Sequence, residues 1–175
     1  MHRRALLAGL GAAAGLAGCS ADLNGGPTSS ELRDVYNPTG RASARPIDDP
    51  LIRGGITASS EQYLYARMFH PGDSLAVTGE SASWLSEGVD ELSEGQFALL
   101  TCLRTAATAP AHWWPKRTEY ADGRFRIGLE RQSFVSAETD AAEAVGVALT
   151  TFEYDGERPD SADVVYPSGA TVRVG

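Results

Sequence analysis

The clearest pattern of apolar and polar positions lies near the middle of the chain. After Asp122-Gly123, the residues Phe125, Ile127 and Leu129 alternate with Arg124, Arg126 and Glu130. A period of two puts the three apolar side chains on one face of a strand and the three charges on the other. Asp-Gly suits a two-residue turn whose central positions need positive φ, so Thr118–Glu130 reads as a β-hairpin. Other segments read as strands too. Gln62–Phe69 is rich in aromatics and closes on Pro71-Gly72-Asp73, and Ser74–Thr78 adds a short piece. Phe97–Ala106 is an apolar run short enough for a buried strand, and Ala144–Tyr154 is another. Asp163–Tyr166 and Thr171–Val174 form a last pair around Pro167-Ser168-Gly169.

Helical periodicity is scarce. Glu80–Gly95 carries Trp84, Leu85, Val89 and Leu92 at spacings that fit a short helix, with Gly88 counting against it. Six or seven short strands with frequent turn signals predict a mainly β fold, an antiparallel β-sandwich or open barrel with little helix. No internal repeat is visible.

The chain before these strands has a different character. Ser20 to Arg53 carries Gly25-Gly26-Pro27, Asn37-Pro38-Thr39-Gly40 and Arg45-Pro46-Ile47-Asp48-Asp49-Pro50. Such clusters punctuate structure and give no apolar period, so the stretch reads as a linker, with Leu32, Val35 and Tyr36 able to form a packed turn. A flexible tether of roughly 30 residues reaches about 30 Å.

Ahead of it, Ala5 to Gly18 is uncharged and built mostly of Ala, Leu and Gly. Fourteen helical residues cover roughly 21 Å, short of the about 30 Å of a hydrocarbon core. Gly9, Gly11, Gly15 and Gly18 make it a poor internal helix. Its length, the positive charge before it and the small residues that close it suit an export signal.

Two motifs sharpen this. His2-Arg3-Arg4-Ala5-Leu6-Leu7 resembles a twin-arginine signal, with Arg3 and Arg4 as the pair. Leu16-Ala17-Gly18-Cys19 resembles the lipobox of bacterial and archaeal lipoproteins. That resemblance covers only the first twenty residues. It implies cleavage before Cys19 and a lipid on its thiol, and so a protein on the outer face of the cell membrane. The expected organisation is a signal at 1–18, a lipid-anchored linker at 19–53 and a β domain at 54–175.

Charge then narrows the partners. The chain has 23 acidic and 15 basic residues and a net charge of −8, and Lys116 is its one lysine. Many acids, few lysines and abundant Ala and Gly resemble proteins of extremely halophilic archaea, in which carboxylates bind hydrated cations and keep the surface soluble. No basic stripe is present for phosphate neutralisation, which argues against nucleic acid. Net negative charge repels anionic headgroups, so membrane attachment would rest on the Cys19 lipid.

Candidate chemistry is sparse. With Cys19 lipidated, Cys102 has no partner for an intrachain disulfide. Cys102 and His112 raise a blue-copper site, but such a site needs Cys, His and Met crowded in one loop, and here no Met follows. Cys102 therefore reads as a core residue, and no metal or other cofactor is expected. Glu153, Asp155, Glu157, Asp160 and Asp163 are dense enough to raise calcium, yet they miss the EF-hand pattern and read as a solvated acidic loop. Glu138, Asp140 and Glu143 read the same way. No nucleophile elbow, zinc-protease motif, P-loop or dinucleotide fingerprint occurs. His70 and His112 are the imidazoles left after signal removal.

The most distinctive stretch beyond the signal is His112-Trp113-Trp114-Pro115, followed by Lys116 and Arg117. Exposed paired tryptophans can stack a sugar ring or anchor a protein partner; the plainer reading is that they pack within the sheet. The sequence thus predicts a membrane-anchored extracytoplasmic lipoprotein with a non-catalytic binding or envelope-accessory domain. The alternatives are a carbohydrate-active enzyme using carboxylates near Trp113 and Trp114, and a structural envelope component.

Overall fold

A computed structural model describes residues 32–121, 124–134 and 141–175. The fold is mainly β, with eight strands among the described residues. They are β1 (Leu32–Pro46), β2 (Leu64–Phe69), β3 (Gln96–Ala106), β4 (Ala111–Ala121), β5 (Arg124–Ser133), β6 (Glu143–Gly156), β7 (Ala162–Val165) and β8 (Thr171–Val174). Two four-stranded sheets result, ordered β1-β6-β3-β2 and β4-β5-β7-β8. The arrangement is a sandwich, not a closed barrel. The first sheet is antiparallel throughout, whereas β5 and β7 run parallel in the second.

One core lies between the sheets. Met68, Phe97, Leu99, Leu103 and Phe152 come from the first sheet, and Trp113, Phe125, Ile127, Leu129, Val164 and Val174 from the second. Phe97 sits at its centre, stacked on Phe152 at 4.9 Å and edge-on to Phe125 at 5.8 Å. These offset and perpendicular arrangements suit the ring quadrupoles.

A second core covers the other side of the first sheet. There Phe69, Ala98, Leu100, Cys102, Val145, Val147 and Leu149 meet Ile47, Leu51, Ile52, Ile56, Leu75, Leu85, Val89 and Leu92. Strands β3 and β6 are therefore buried on both faces, which explains why each reads as a continuous apolar run instead of an alternation. The helix α1 (Ser83–Asp90) forms part of the covering layer, preceded by a 3-10 turn at Glu80–Ala82. A Cβ on Gly88 would lie 2.8 Å from Leu149 Cδ2. The residue that weakens the helix by propensity is what lets the helix rest on β6.

Two sequence expectations are corrected. The stretch 19–53 is not a linker over its described part, because Leu32–Pro46 is the longest strand and pairs with β6 along its length. Ile47, Leu51 and Ile52 beyond it are buried. Of the Pro and Gly that suggested a tether, those within β1 occupy places an edge strand tolerates: Asn37 and Pro38 fall in a register break between Tyr36 and Thr39, and Pro46 ends the strand. Ser74–Thr78 is also not a strand; it contributes a single bridge, Ile52 to Val77.

The predicted hairpin forms. Phe125, Ile127 and Leu129 all face the inter-sheet core. The register Ala121 to Arg124 leaves two residues for the turn, and Asp122-Gly123 themselves lie outside the described residues.

Candidate functional site

His112, Trp113 and Trp114 lie within β4, so successive side chains point to opposite faces. Trp113 turns inward and is 9% exposed. It meets Tyr166 edge to face at 5.3 Å, and its carbonyl accepts a bond from Thr101 Oγ1 at 3.4 Å. Neither Trp113 Nε1 nor Tyr166 Oη has a hydrogen-bond partner. Burial pushes the Tyr166 hydroxyl up to about 12, with proximity to Cys102 acting in the same direction.

His112 and Trp114 share the outer face, ring centroids 6.1 Å apart and nearly perpendicular. Phe134 closes on His112 at 4.6 Å. Burial lowers the His112 pKa from its ordinary value, so the imidazole is neutral at neutral pH. Across the ladder, Glu130 stands opposite Trp114 and Gln132 opposite His112. Gln132 Nε2 donates to Glu130 Oε1 at 3.3 Å, and Lys116 Nζ lies 3.5 Å from Glu130 Oε2. Lys116 sits where the register shifts between Pro115 and Arg117, a bulge that takes up the buried proline without an N–H.

The structure brings together Trp114, His112, Glu130, Gln132 and Lys116, and separates Trp113 from them. A paired-tryptophan platform is ruled out, and the expectation that His112, Trp113 and Trp114 form one binding surface is corrected accordingly. What remains is a half-buried indole beside a carboxylate, an amide and an ammonium group. Such a patch offers one apolar plate with hydrogen-bonding groups at its rim.

The acidic residues fall into three groups that the sequence does not distinguish. Asp155, Glu157 and Asp160, with Glu94, Tyr154 and Arg158, line an open cleft of about 750 Å³. Arg158 Nη2 lies 3.3 Å from Asp160 Oδ1 there. His70 borders this end; burial, then Arg158, lower its pKa, against an opposing pull from Asp73 and Asp160. Among the described residues, no three His, Cys, Asp or Glu side chains come close enough to hold a metal ion.

Glu143 belongs to the second group and corrects the reading of a solvated acid. It forms a two-pronged ion pair with Arg104, through Nε to Oε1 at 2.9 Å and through Nη2 to Oε2. Arg104 Nη1 also donates to the Ser60 carbonyl at 2.7 Å, and the guanidinium lies over the Tyr63 ring. Glu138 and Asp140 lie outside the described residues.

Asp163 is the third case. It stands on the outer face of the second sheet, in register with Arg126 on one side and Arg173 on the other. The strand pattern Arg124-Phe125-Arg126 announces a charged outer face. It does not announce that β7 lies on the other side of β5, which follows from the parallel crossover.

Cys102 faces the core under α1, and burial pushes its thiol up to about 12. Arg3, Arg4 and the lipobox Leu16, Ala17, Gly18 and Cys19 lie outside the described residues. Comparison with known proteins finds no matching family model, no similar curated protein and no similar solved structure.

Proposed function

We propose that this chain is an exported lipoprotein, held on the outer face of the cell membrane through a lipid on Cys19, whose β-sandwich is a non-catalytic binding or envelope-accessory domain. The observation that carries the proposal is Leu16-Ala17-Gly18-Cys19, placed after Arg3-Arg4 and an uncharged run too short to span a bilayer.

The fold adds support on two points. Strand β1 begins at Leu32, so twelve residues join Cys19 to the sheet, and full extension over those thirteen steps limits the span to about 45 Å. The domain is kept near the surface it is anchored to. Cys102 is sealed in the core under α1, away from the outer face of the second sheet that carries His112 and Trp114. The patch around Trp114, with Glu130 at its rim, is the contact surface this reading favours.

Cell fractionation of the wild type and Cys19→Ser tests the anchor. The wild type should sediment with membranes and take up labelled lipid, and the variant should do neither. Retention of Cys19→Ser in the membrane fraction would sink the proposal. Replacing Arg3 and Arg4 by Lys should abolish export, and unchanged export would remove the twin-arginine part.

A further inference from the structure

The two outer faces of the sandwich differ. The first sheet lies beneath α1 and the segments around Leu51 and Leu75. On the second sheet, Phe125, Ile127, Leu129, Ala162, Val164 and Val174 all point inward. Their alternation partners point away; Lys116, Arg117, Glu119 and Arg173 among them are exposed, whereas His112 and Asp163 are buried.

Across this open face runs one transverse row with a residue from each strand. Glu119 on β4 pairs with Arg126 on β5, Arg126 with Asp163 on β7, and Asp163 with Arg173 on β8. The row reads negative, positive, negative, positive. Glu119 and Arg173 at its ends are exposed, and Asp163 lies 7% exposed between its two arginines. Arg173 Nη2 also donates to Ser161 Oγ at 2.9 Å, which leaves its charge in place.

An alternating row with an even number of members becomes its own complement when reversed. Lay a second copy on this face, related by a two-fold axis parallel to the strands, and the row runs the other way. Glu119 then meets Arg173 of the second copy with opposite sign, and this exposed pair carries the contact, while Arg126 stands over the second copy's Asp163, which is buried between its own arginines. An axis along the row would set like charge over like. The neighbouring row, Arg117, Gly128, Val165 and Thr171, raises no conflict under the same operation. Arg117 is its one charge and would meet Thr171.

We infer that the open face of the second sheet is an interface between two copies of this chain, related by a two-fold axis along the strands. Such a self-complementary surface is what an isologous contact requires. The symmetry also fits a membrane tether. Rotation about an axis along the strands keeps every residue at its height, so both copies present Leu32 at one level and can share one bilayer. The charge pattern is independent of the tether, which rests on the lipoprotein reading.

Sedimentation equilibrium of the full chain carrying Cys19→Ser tests this without any lipid to drive association. At low salt the protein should be dimeric, and added NaCl should dissociate it as screening shortens. Arg173→Glu alone or Glu119→Lys alone should weaken the dimer about tenfold or more, because each sets like charges face to face. The double variant Glu119→Lys/Arg173→Glu should recover most of the affinity. Within one copy these residues stand three strand spacings apart, about 14 Å, so rescue between them reports contact between copies. Both positions are exposed, and circular dichroism of each variant checks that it folds. A monomer at low salt, or a dimer indifferent to the single changes, or single changes that add without rescue, would each overturn the inference. None of these results bears on Cys19, whose role is read by fractionation.

Discussion

Trp113 and Tyr166 pack edge to face, each nearly sealed from solvent, and each brings a polar atom into the core that nothing there satisfies. An unpaired buried hydroxyl costs about 1–3 kcal/mol relative to its hydrated state. Tyr166→Phe keeps the ring contact and removes that group. Its urea midpoint should match or exceed the wild type. A loss above about 1 kcal/mol would show that the hydroxyl has a partner, such as a bridging water.

At Gly146, on β6, the first sheet comes close against the backbone of β4. A Cβ there would collide with the backbone carbonyl of Ala111 at the start of β4. Gly146→Ala should destabilise the fold by about 1–3 kcal/mol, the range for overpacking, measured by chemical denaturation. Gly169→Ala meets no neighbour, so any cost there comes from its positive φ of 85° and not from crowding. A Gly146 variant as stable as the wild type would contradict the crossing geometry.

His112 and Glu143 give stability a pH dependence with one sign. Burial depresses the folded His112 pKa, so the unfolded chain takes up its proton first, and stability falls as pH drops below about 6.5. His70 is depressed too and adds to the same fall. The Arg104 hydrogen bonds hold the Glu143 carboxyl below its usual value, so its contribution is present above about pH 4.3 and is lost as pH falls through the folded value. Denaturation midpoints of His112→Asn should decline less between pH 7 and 5 than those of the wild type. Glu143→Gln should flatten only the acid limb below that window. Parallel curves for either variant would remove the assigned cause.

Cys102 should be inert in the folded protein. Buried under α1 with its thiol pushed up to about 12, it carries almost no thiolate at pH 8. Iodoacetamide should leave it unmodified in the native Cys19→Ser chain and label it on unfolding in urea. Rapid native labelling would mean that the layer over the first sheet opens readily.

How much the sequence discloses depends on what each strand touches. The β5 pattern is legible because one of its faces is apolar and the other charged, and the hairpin follows from it. β3 and β6 are legible as strands, but their runs do not reveal that two separate cores claim them. β1 is illegible because its composition is that of an edge strand, where Gly40, Pro38 and Pro46 cost little and only partnership with β6 makes the segment regular. For the candidate site, the motif His112-Trp113-Trp114 is visible and its division between two faces is not, since that requires knowing that β4 is a strand. The four-charge row requires more still: β5 and β7 are neighbours only through a parallel pairing that no local signal announces.

The pairing of β1 with β6 also governs when the molecule can come into being. Leu32, at the start of the first strand, finds its partner Gly156 near the far end of the chain, in the sixth strand to be synthesised. Closing so long a loop is slow compared with forming a hairpin. During synthesis the first strand must wait, unpaired, until almost everything else has been made. The β4–β5 hairpin has no such wait, because its two strands emerge together. Assembly should therefore begin with the β4–β5 hairpin, and the pairing of β1 with β6 should come late, so that the N-terminal edge of the first sheet is among the last parts to be secured.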